Sequence, residues 1–325
     1  MGGWERISNL NTIKMKRFTR ELSVGAFEYL QKEGKFIIPE IKSARPEQYP
    51  FTLDIHLREK DKLMVYVGTT CILTLKINAK TKKVKFSAHE TYRDKFLDTY
   101  KFSTPPISKI ASYLKRTLPK VDKSKFRDKK EGFYQNMMCY LNGEIAHATS
   151  PFVIFDRECV IGFTDNKERK SVLEPFKIKY PGIGNELDML AIDKYLNLIC
   201  IELKYADKKA SKNKKIYLTP KQVAKYRELF SEEKHPHPFF EDIKQLINQK
   251  VELGLLPKFA NSLFTNKSDF KDVLSYVVVA ESENISKNNW EKMKDVINEN
   301  PKDISCEIFT INGNGTMLKK DITDL

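Results

Sequence analysis

The chain has 325 residues, 41 % of them hydrophobic, enough for one large domain or two ordinary ones around a sizeable core. A formal net charge of +14 exceeds what solubility needs and points to a polyanionic partner, nucleic acid or an anionic membrane surface. No run of about 18 apolar residues occurs, which excludes a membrane-spanning helix, and five scattered cysteines without a CxxC pair exclude a disulfide framework and a zinc ribbon.

The opening residues MGGWERISNLNTIKMKRF lack the apolar stretch of a secretory signal. Cys71, Cys159 and Cys200 lie in apolar runs and read as small buried hydrophobes, so a reducing cytoplasm is expected. Residues 14–34 predict a helix with Phe18, Leu22, Phe27 and Leu30 on one side. FTLDIHL, KLMVYVGTTCILTLKIN and KKVKFSAHETY are rich in β-formers and broken by charged turns, which predicts an antiparallel meander over about 50–92. TPPISKIASYLKRTLPKV predicts a short amphipathic helix followed by Pro119, with a domain boundary near 120. Nearly all the excess positive charge falls before residue 125. Basic residues there interleave with aromatic ones (Lys83, Lys85, Phe86, Tyr92, Arg93, Lys95, Phe96, Tyr100, Lys101, Phe102), as on a nucleic-acid surface. Residues 1–120 are therefore expected to form a basic α+β domain for DNA recognition or partner binding.

Residues 121–325 open with a helical stripe of Phe133, Met137, Met138 and Leu141 that Gly143 is expected to stop. SPFVIFDRECVIGFT predicts one or two strands. NELDMLAID and NLICIELKYA predict two more, joined by a tight turn at Lys194–Asn197. A lysine-rich loop leads to LTPKQVAKYRELF, a helix with Thr219 as N-cap and Pro220 in its first turn. A helix ending at Gly254, a buried strand LSYVVVAESE, a helix SKNNWEKMKDVINEN and a last strand with a Gly-containing turn complete a mixed sheet flanked by helices.

Charge is concentrated at one place among these strand hydrophobes. Glu202 and Lys204 share a strand face, and the hairpin brings Asp188 beside them. Two carboxylates forced together repel, and burial raises the cost. A divalent cation between them removes the conflict, and oxygen ligands without His or Cys favour Mg²⁺ or Mn²⁺. Glu186 shares Asp188's face and is expected at the open end of the strand, while Asp193 belongs to the turn.

Asp188, thirteen intervening residues, then Glu202-Leu203-Lys204 resembles the motif of the PD-(D/E)xK nuclease superfamily, with Leu187 in place of the proline. The resemblance covers roughly residues 125–285 and implies a restriction-endonuclease-like αβββαβ core. It implies that Asp188, Glu202 and the Leu203 carbonyl hold the metal, that Lys204 orients the attacking water, and that the first core helix adds Glu131, in preference to Glu144. Gln222-Val223-Ala224-Lys225-Tyr226 resembles the QxxxY signature of RecB-like and Cas4-like members, and i, i+4 spacing lets Gln222 and Tyr226 face the site together. Lys208, Lys209, Lys212, Lys214, Lys215 and Lys225 are expected to meet phosphates.

The function this predicts is a Mg²⁺-dependent deoxyribonuclease, an endonuclease of restriction or antiphage defence, with RNA left open as substrate. A repair nuclease served by a separate motor protein is the alternative within the same class. A catalytically inert nucleic-acid-binding or scaffold protein is the alternative outside it. Double-strand cleavage implies a homodimer, because each fold offers one site.

Overall fold

The structure, a computed structural model, describes residues 18, 20–89, 91, 109–121, 130–159, 174, 178–179, 186–208, 215–231, 239–299 and 301–321. It begins with two short helices, α1 (Val24–Gln31) and α2 (Ile37–Lys42). Four antiparallel strands follow as the expected meander, β1 (Asp54–Arg58), β2 (Lys62–Val67), β3 (Thr70–Asn78) and β4 (Lys83–Ala88), side by side in chain order.

The helix expected over 14–34 is shorter. It starts at Val24, where the Ser23 hydroxyl accepts the Ala26 N–H. Ahead of it, the Leu22 N–H and C=O are both taken by the side-chain amide of Gln249 at 2.8 Å, which holds this stretch extended and buries Leu22. Residues 14–17 lie outside the described residues. Helix α3 (Ile110–Val121) runs through Pro119, which sits exposed in its last turn, where a proline removes only one intrahelical bond.

Helix α4 (Lys130–Cys139) does not stop at Gly143 but widens into a π-helical turn, Tyr140–Glu144. A Cβ on Gly143 would lie 2.7 Å from the Ile154 carbonyl oxygen, so close approach to the next strand is what requires glycine there. The second sheet comprises β5 (Phe152–Cys159), β6 (Leu187–Asp193), β7 (Leu198–Tyr205), β8 (Val273–Ala280), β9 (Glu307–Ile311) and β10 (Met317–Lys320). Its strand order is β10-β9-β8-β7-β6-β5. Pairs β5–β6, β6–β7 and β9–β10 are antiparallel, and β7–β8 and β8–β9 are parallel. Helices α5 (Thr219–Phe230), α6 (Phe240–Glu252) and the short α7 (Phe259–Ser262) lie between β7 and β8 in the chain, and α8 (Lys287–Glu299) lies between β8 and β9. The architecture is α/β with a mixed sheet and helices. Strand β10 goes beyond the sequence expectation, which ended at β9 and its turn.

Thr219 does not cap α5. A 3-10 turn, Ile216–Leu218, precedes it, and the Thr219 hydroxyl donates to the Ile216 carbonyl at 2.6 Å. Cys159 and Cys200 are buried, Cys71 is half-buried, and the cysteines are free thiols. Among the described residues no helix is long and apolar enough to cross a membrane.

One face of the second sheet packs Ile199, Ile201 and Leu203 with Met137 and Met138 of α4. The opposite face, with Leu198 and Cys200, belongs to a core that continues through α5, α6 and α8 into α1–α3 and the meander. Residues 1–120 and 121–325 thus share one hydrophobic core.

Buried charges cross that join. Arg58 of β1 meets Asp156 of β5 at 2.5 Å, and Arg20 approaches the same carboxylate at 3.5 Å. Arg157 meets Asp54 at 2.9 Å, and Lys250 of α6 donates to the Phe155 carbonyl at 2.6 Å. His56 lies 2.9 Å from Asp54 and 3.4 Å from Asp156. At the rim, Arg45 grips Glu144 through two bonds of 2.8 and 2.6 Å.

Burial works against the charge on Asp156, yet Arg58, Arg20 and His56 hold its carboxyl well below the ordinary range. Burial also lowers the pKa of His56, outweighing the pull of Asp54. Between its folded pKa and the ordinary value of about 6.5, the unfolded chain binds the extra proton, so acid costs the native state stability through this residue. The melting-temperature deficit of His56→Gln relative to the native sequence should therefore shrink as pH falls from 7 to 5. Parallel pH curves would mean that His56 does not titrate with unfolding.

Candidate metal centre

Strands β6 and β7 form the predicted hairpin. Asp193 accepts the Tyr195 and Asn197 N–H groups, both at 2.9 Å, and Leu196 adopts φ 69°, which closes a tight turn. The register runs Leu190↔Cys200 and Met189↔Ile201, so one further step sets Asp188 against Glu202. A bond of 2.8 Å from the Leu203 N–H to Asp188 Oδ2 fixes that carboxylate. Lys204 Nζ lies 2.6 Å from Glu202 Oε1, 3.8 Å from Asp188 Oδ2 and 3.1 Å from the Leu203 carbonyl oxygen. The fold therefore assembles Asp188, Glu202, Leu203 and Lys204 as the sequence predicts.

Glu202 is 1 % exposed. Its Oε1 accepts from Lys204 and from the Gln222 amide, while its Oε2 is buried without a hydrogen-bond partner. Burial and the neighbouring Asp188 push its carboxyl well above the usual range, against the pull of Lys204. Burial alone would discharge Lys204, but Glu202, Asp188 and Glu131 reverse that and raise its pKa, so the ammonium stays charged.

Glu131 stands in the first turn of α4, half-buried, and the Tyr205 backbone N–H donates to its carboxylate. Burial raises its pKa, Lys204 opposes this, and Asp188 and Glu158 add to it, so Glu131 belongs to the same electrostatic cluster. Glu144, the substitute, is occupied by Arg45 and by Lys42 at 2.6 Å. Tyr226 is buried. Burial first, then Glu202, Asp188 and Glu186, raise the pKa of its phenol, which places the hydroxyl in the field of the acids and keeps it protonated. Glu186 is exposed, as expected for the strand's open end.

The basic residues divide differently from the expectation. Lys208 and Lys215 are exposed, while Lys209, Lys212 and Lys214 lie outside the described residues. Lys225 is 1 % exposed, with Nζ 5.9 Å from the centre of the Tyr226 ring, so it does not join a solvent-facing phosphate surface. Helix α5 packs against β7, β8 and α8. Phe86 packs toward the main core rather than standing among the lysines of β4, and Tyr92 to Phe102 lie outside the described residues.

Two site neighbours escaped the sequence reading. Gln135, on α4, donates through Nε2 to the Asp188 carbonyl and to Glu158 Oε1, each at 3.0 Å. Glu158 lies on β5 with φ 48°. The signals were the charged triplet Asp156-Arg157-Glu158 within the strand FVIFDREC and a polar pair, Gln135-Asn136, beside the apolar helical stripe. A second group with metal-ligand chemistry, Asp54, His56 and Cys139, has donor atoms within 4.8 Å of one another. There Arg157 already pairs with Asp54, and Lys250 Nζ stands 3.4 Å from His56 Nδ1, so protein cations neutralise the acid. Its mixed Asp/His/Cys donors do not suit Mg²⁺. Comparison of the chain with protein-family models, curated proteins and solved structures gives no match.

A carboxylate held at raised pKa destabilises the fold as pH rises from the ordinary glutamate value through the folded one. Glu202→Gln should therefore melt above the native protein in EDTA, by a margin that widens between pH 5 and pH 8. A margin independent of pH would show that Glu202 is not under this strain.

Proposed function

We propose that the chain is a divalent-cation-dependent nuclease hydrolysing the phosphodiester bonds of DNA. The observation that carries this reading is buried Glu202, whose Oε2 has no protein donor and whose carboxyl lies against that of Asp188, in a cluster whose acids outnumber its one close cation. A buried carboxylate oxygen without a donor is costly, and a cation satisfies it. Asp188, Glu202 and the Leu203 carbonyl are hard oxygen donors that fit Mg²⁺ or Mn²⁺, with Glu131 at the margin. The element order α4-β5-β6-β7-α5-β8, with an antiparallel hairpin followed by a parallel crossover, also agrees with the core implied by the resemblance.

When bound, such an ion supplies Lewis acidity toward water and phosphoryl oxygens. The side chains do the rest. Gln222 and Lys204 both occupy Oε1 of Glu202, which leaves Oε2 as the oxygen to offer. Lys204, a quarter exposed, carries a fixed positive charge to the mouth of the site, where it orients water and meets developing phosphoryl charge. Tyr226 contributes a protonated hydroxyl, a donor for a phosphate oxygen.

Lysines of the meander support a track for the substrate. Lys62, Lys76 and Lys85 stand directly opposite one another across β2, β3 and β4. Among the described residues none of their ammonium groups has an ion-pair partner. Like charges directly opposed in a sheet repel, and a phosphodiester backbone relieves that repulsion.

With Mg²⁺ the purified protein should cleave DNA, EDTA should stop it, and Lys204→Ala should lower turnover by about 10²–10³-fold while DNA binding persists. Intact plasmid, linear and single-stranded DNA under these conditions would overturn the enzymatic reading, and cleavage of RNA alone would overturn the substrate. Neutralising Lys62, Lys76 and Lys85 to Gln should weaken DNA binding and flatten its salt dependence by about 0.9 in log–log slope for each phosphate no longer neutralised.

A further inference from the structure

The geometry points to Gln135 as the residue that positions Asp188, with its orientation set by the N-terminal meander through Arg157. This rests on the reading of Asp188 and Glu202 as a cation site. The link begins with a break in the ladder. Met189 pairs with Arg157 and Leu187 with Cys159, but Asp188, between them, has no partner on β5. Glu158, the residue that would face it, adopts φ 48°, a left-handed conformation uncommon for glutamate. The Asp188 carbonyl instead accepts the Gln135 amide at 3.0 Å.

An amide side chain can flip, and Arg157 prevents it. Guanidinium nitrogens only donate, so the 2.6 Å contact from Arg157 Nη2 must reach the amide oxygen of Gln135. The NH₂ group is then turned toward Asp188 and Glu158. Arg157 is fully buried and is itself held by Asp54 Oδ2 at 2.9 Å, the Gly68 carbonyl at 2.8 Å and Asn136 Oδ1 at 2.5 Å. Asp54 belongs to β1 and Gly68 to the β2–β3 turn. That turn presses on α4 so closely that a Cβ at Gly132, next to Glu131, would lie 2.8 Å from Gly68 Cα. The chain of contacts therefore runs from the meander to Arg157, to Gln135, and to the backbone of the metal-facing aspartate. Glu158 is held by the second hydrogen of the same amide.

The test is Mn²⁺ uptake by the full-length protein, followed by loss of the free-ion electron paramagnetic resonance signal, with melting curves alongside. Asp188→Asn should remove the site. Gln135→Met should weaken Mn²⁺ binding about 10–100-fold, the range for residues that orient metal ligands, and should also lower the melting temperature, because it strips buried Arg157 of an acceptor. Gln135→Glu keeps the volume and the partner of Arg157 while removing the donated hydrogens, so it serves if the methionine variant fails to fold, with the same loss expected. Arg45→Met, which loosens the same join away from Gln135, should lower the melting temperature and leave Mn²⁺ affinity unchanged. Native affinity in both Gln135 variants would overturn the positioning role and leave the metal site standing. Equal Mn²⁺ uptake by the native protein and Asp188→Asn would overturn the metal site and this inference with it.

Discussion

A guanidinium sealed from water must find acceptors inside the protein, and Arg157 finds them on three elements at once. Its donors reach Asp54 and Gly68 of the meander, Gln135 and Asn136 of α4, and its own strand is the first of the second sheet. Removing one partner from such a group leaves charge or polarity buried without compensation, which costs about 3–5 kcal/mol for an ion pair. The relative placement of sheet, helix and meander is therefore tightly constrained near this side chain. The candidate site lies two hydrogen bonds beyond it, through Gln135.

The site itself pulls against the fold. The strand register sets Glu202 against Asp188, and Glu202 is sealed from water. Lys204 and Gln222 compensate only one of its two oxygens. Ordinary packing would place a leucine or a glutamine here. Keeping a strained acid makes sense where charge is needed for chemistry, and the apolar strands around it supply the rigidity that holds it in place.

The core of the site was legible in the sequence because it depends on local geometry. A period-two strand put Glu202 and Lys204 on one face, a four-residue turn returned the chain, and Asp193 closed that turn as expected. The meander was legible for the same reason. What failed depended on distant partners. The stretch before Val24 has a helical pattern but gives its backbone bonds to Gln249, more than 200 residues away in the chain. Lys225 read as one of many surface lysines, but tertiary packing buries it. Gln135 carries no local mark of its role, because that role arises from Arg157 and from the ladder break at Glu158.

The shared core has a consequence for how this architecture can be rearranged. A recognition module that folds alone can be exchanged between enzymes as a cassette, because cutting the linker leaves two closed surfaces. Cutting this chain at residue 120 would strip Asp54 from Arg157, leave Asp156 facing the empty place of Arg58, and open the apolar surface under α6 to water. Recombination at that point would yield halves that do not fold separately. Under the proposed function, a change of substrate specificity would have to be written into the outer face of the meander, residue by residue, with its inner face kept constant.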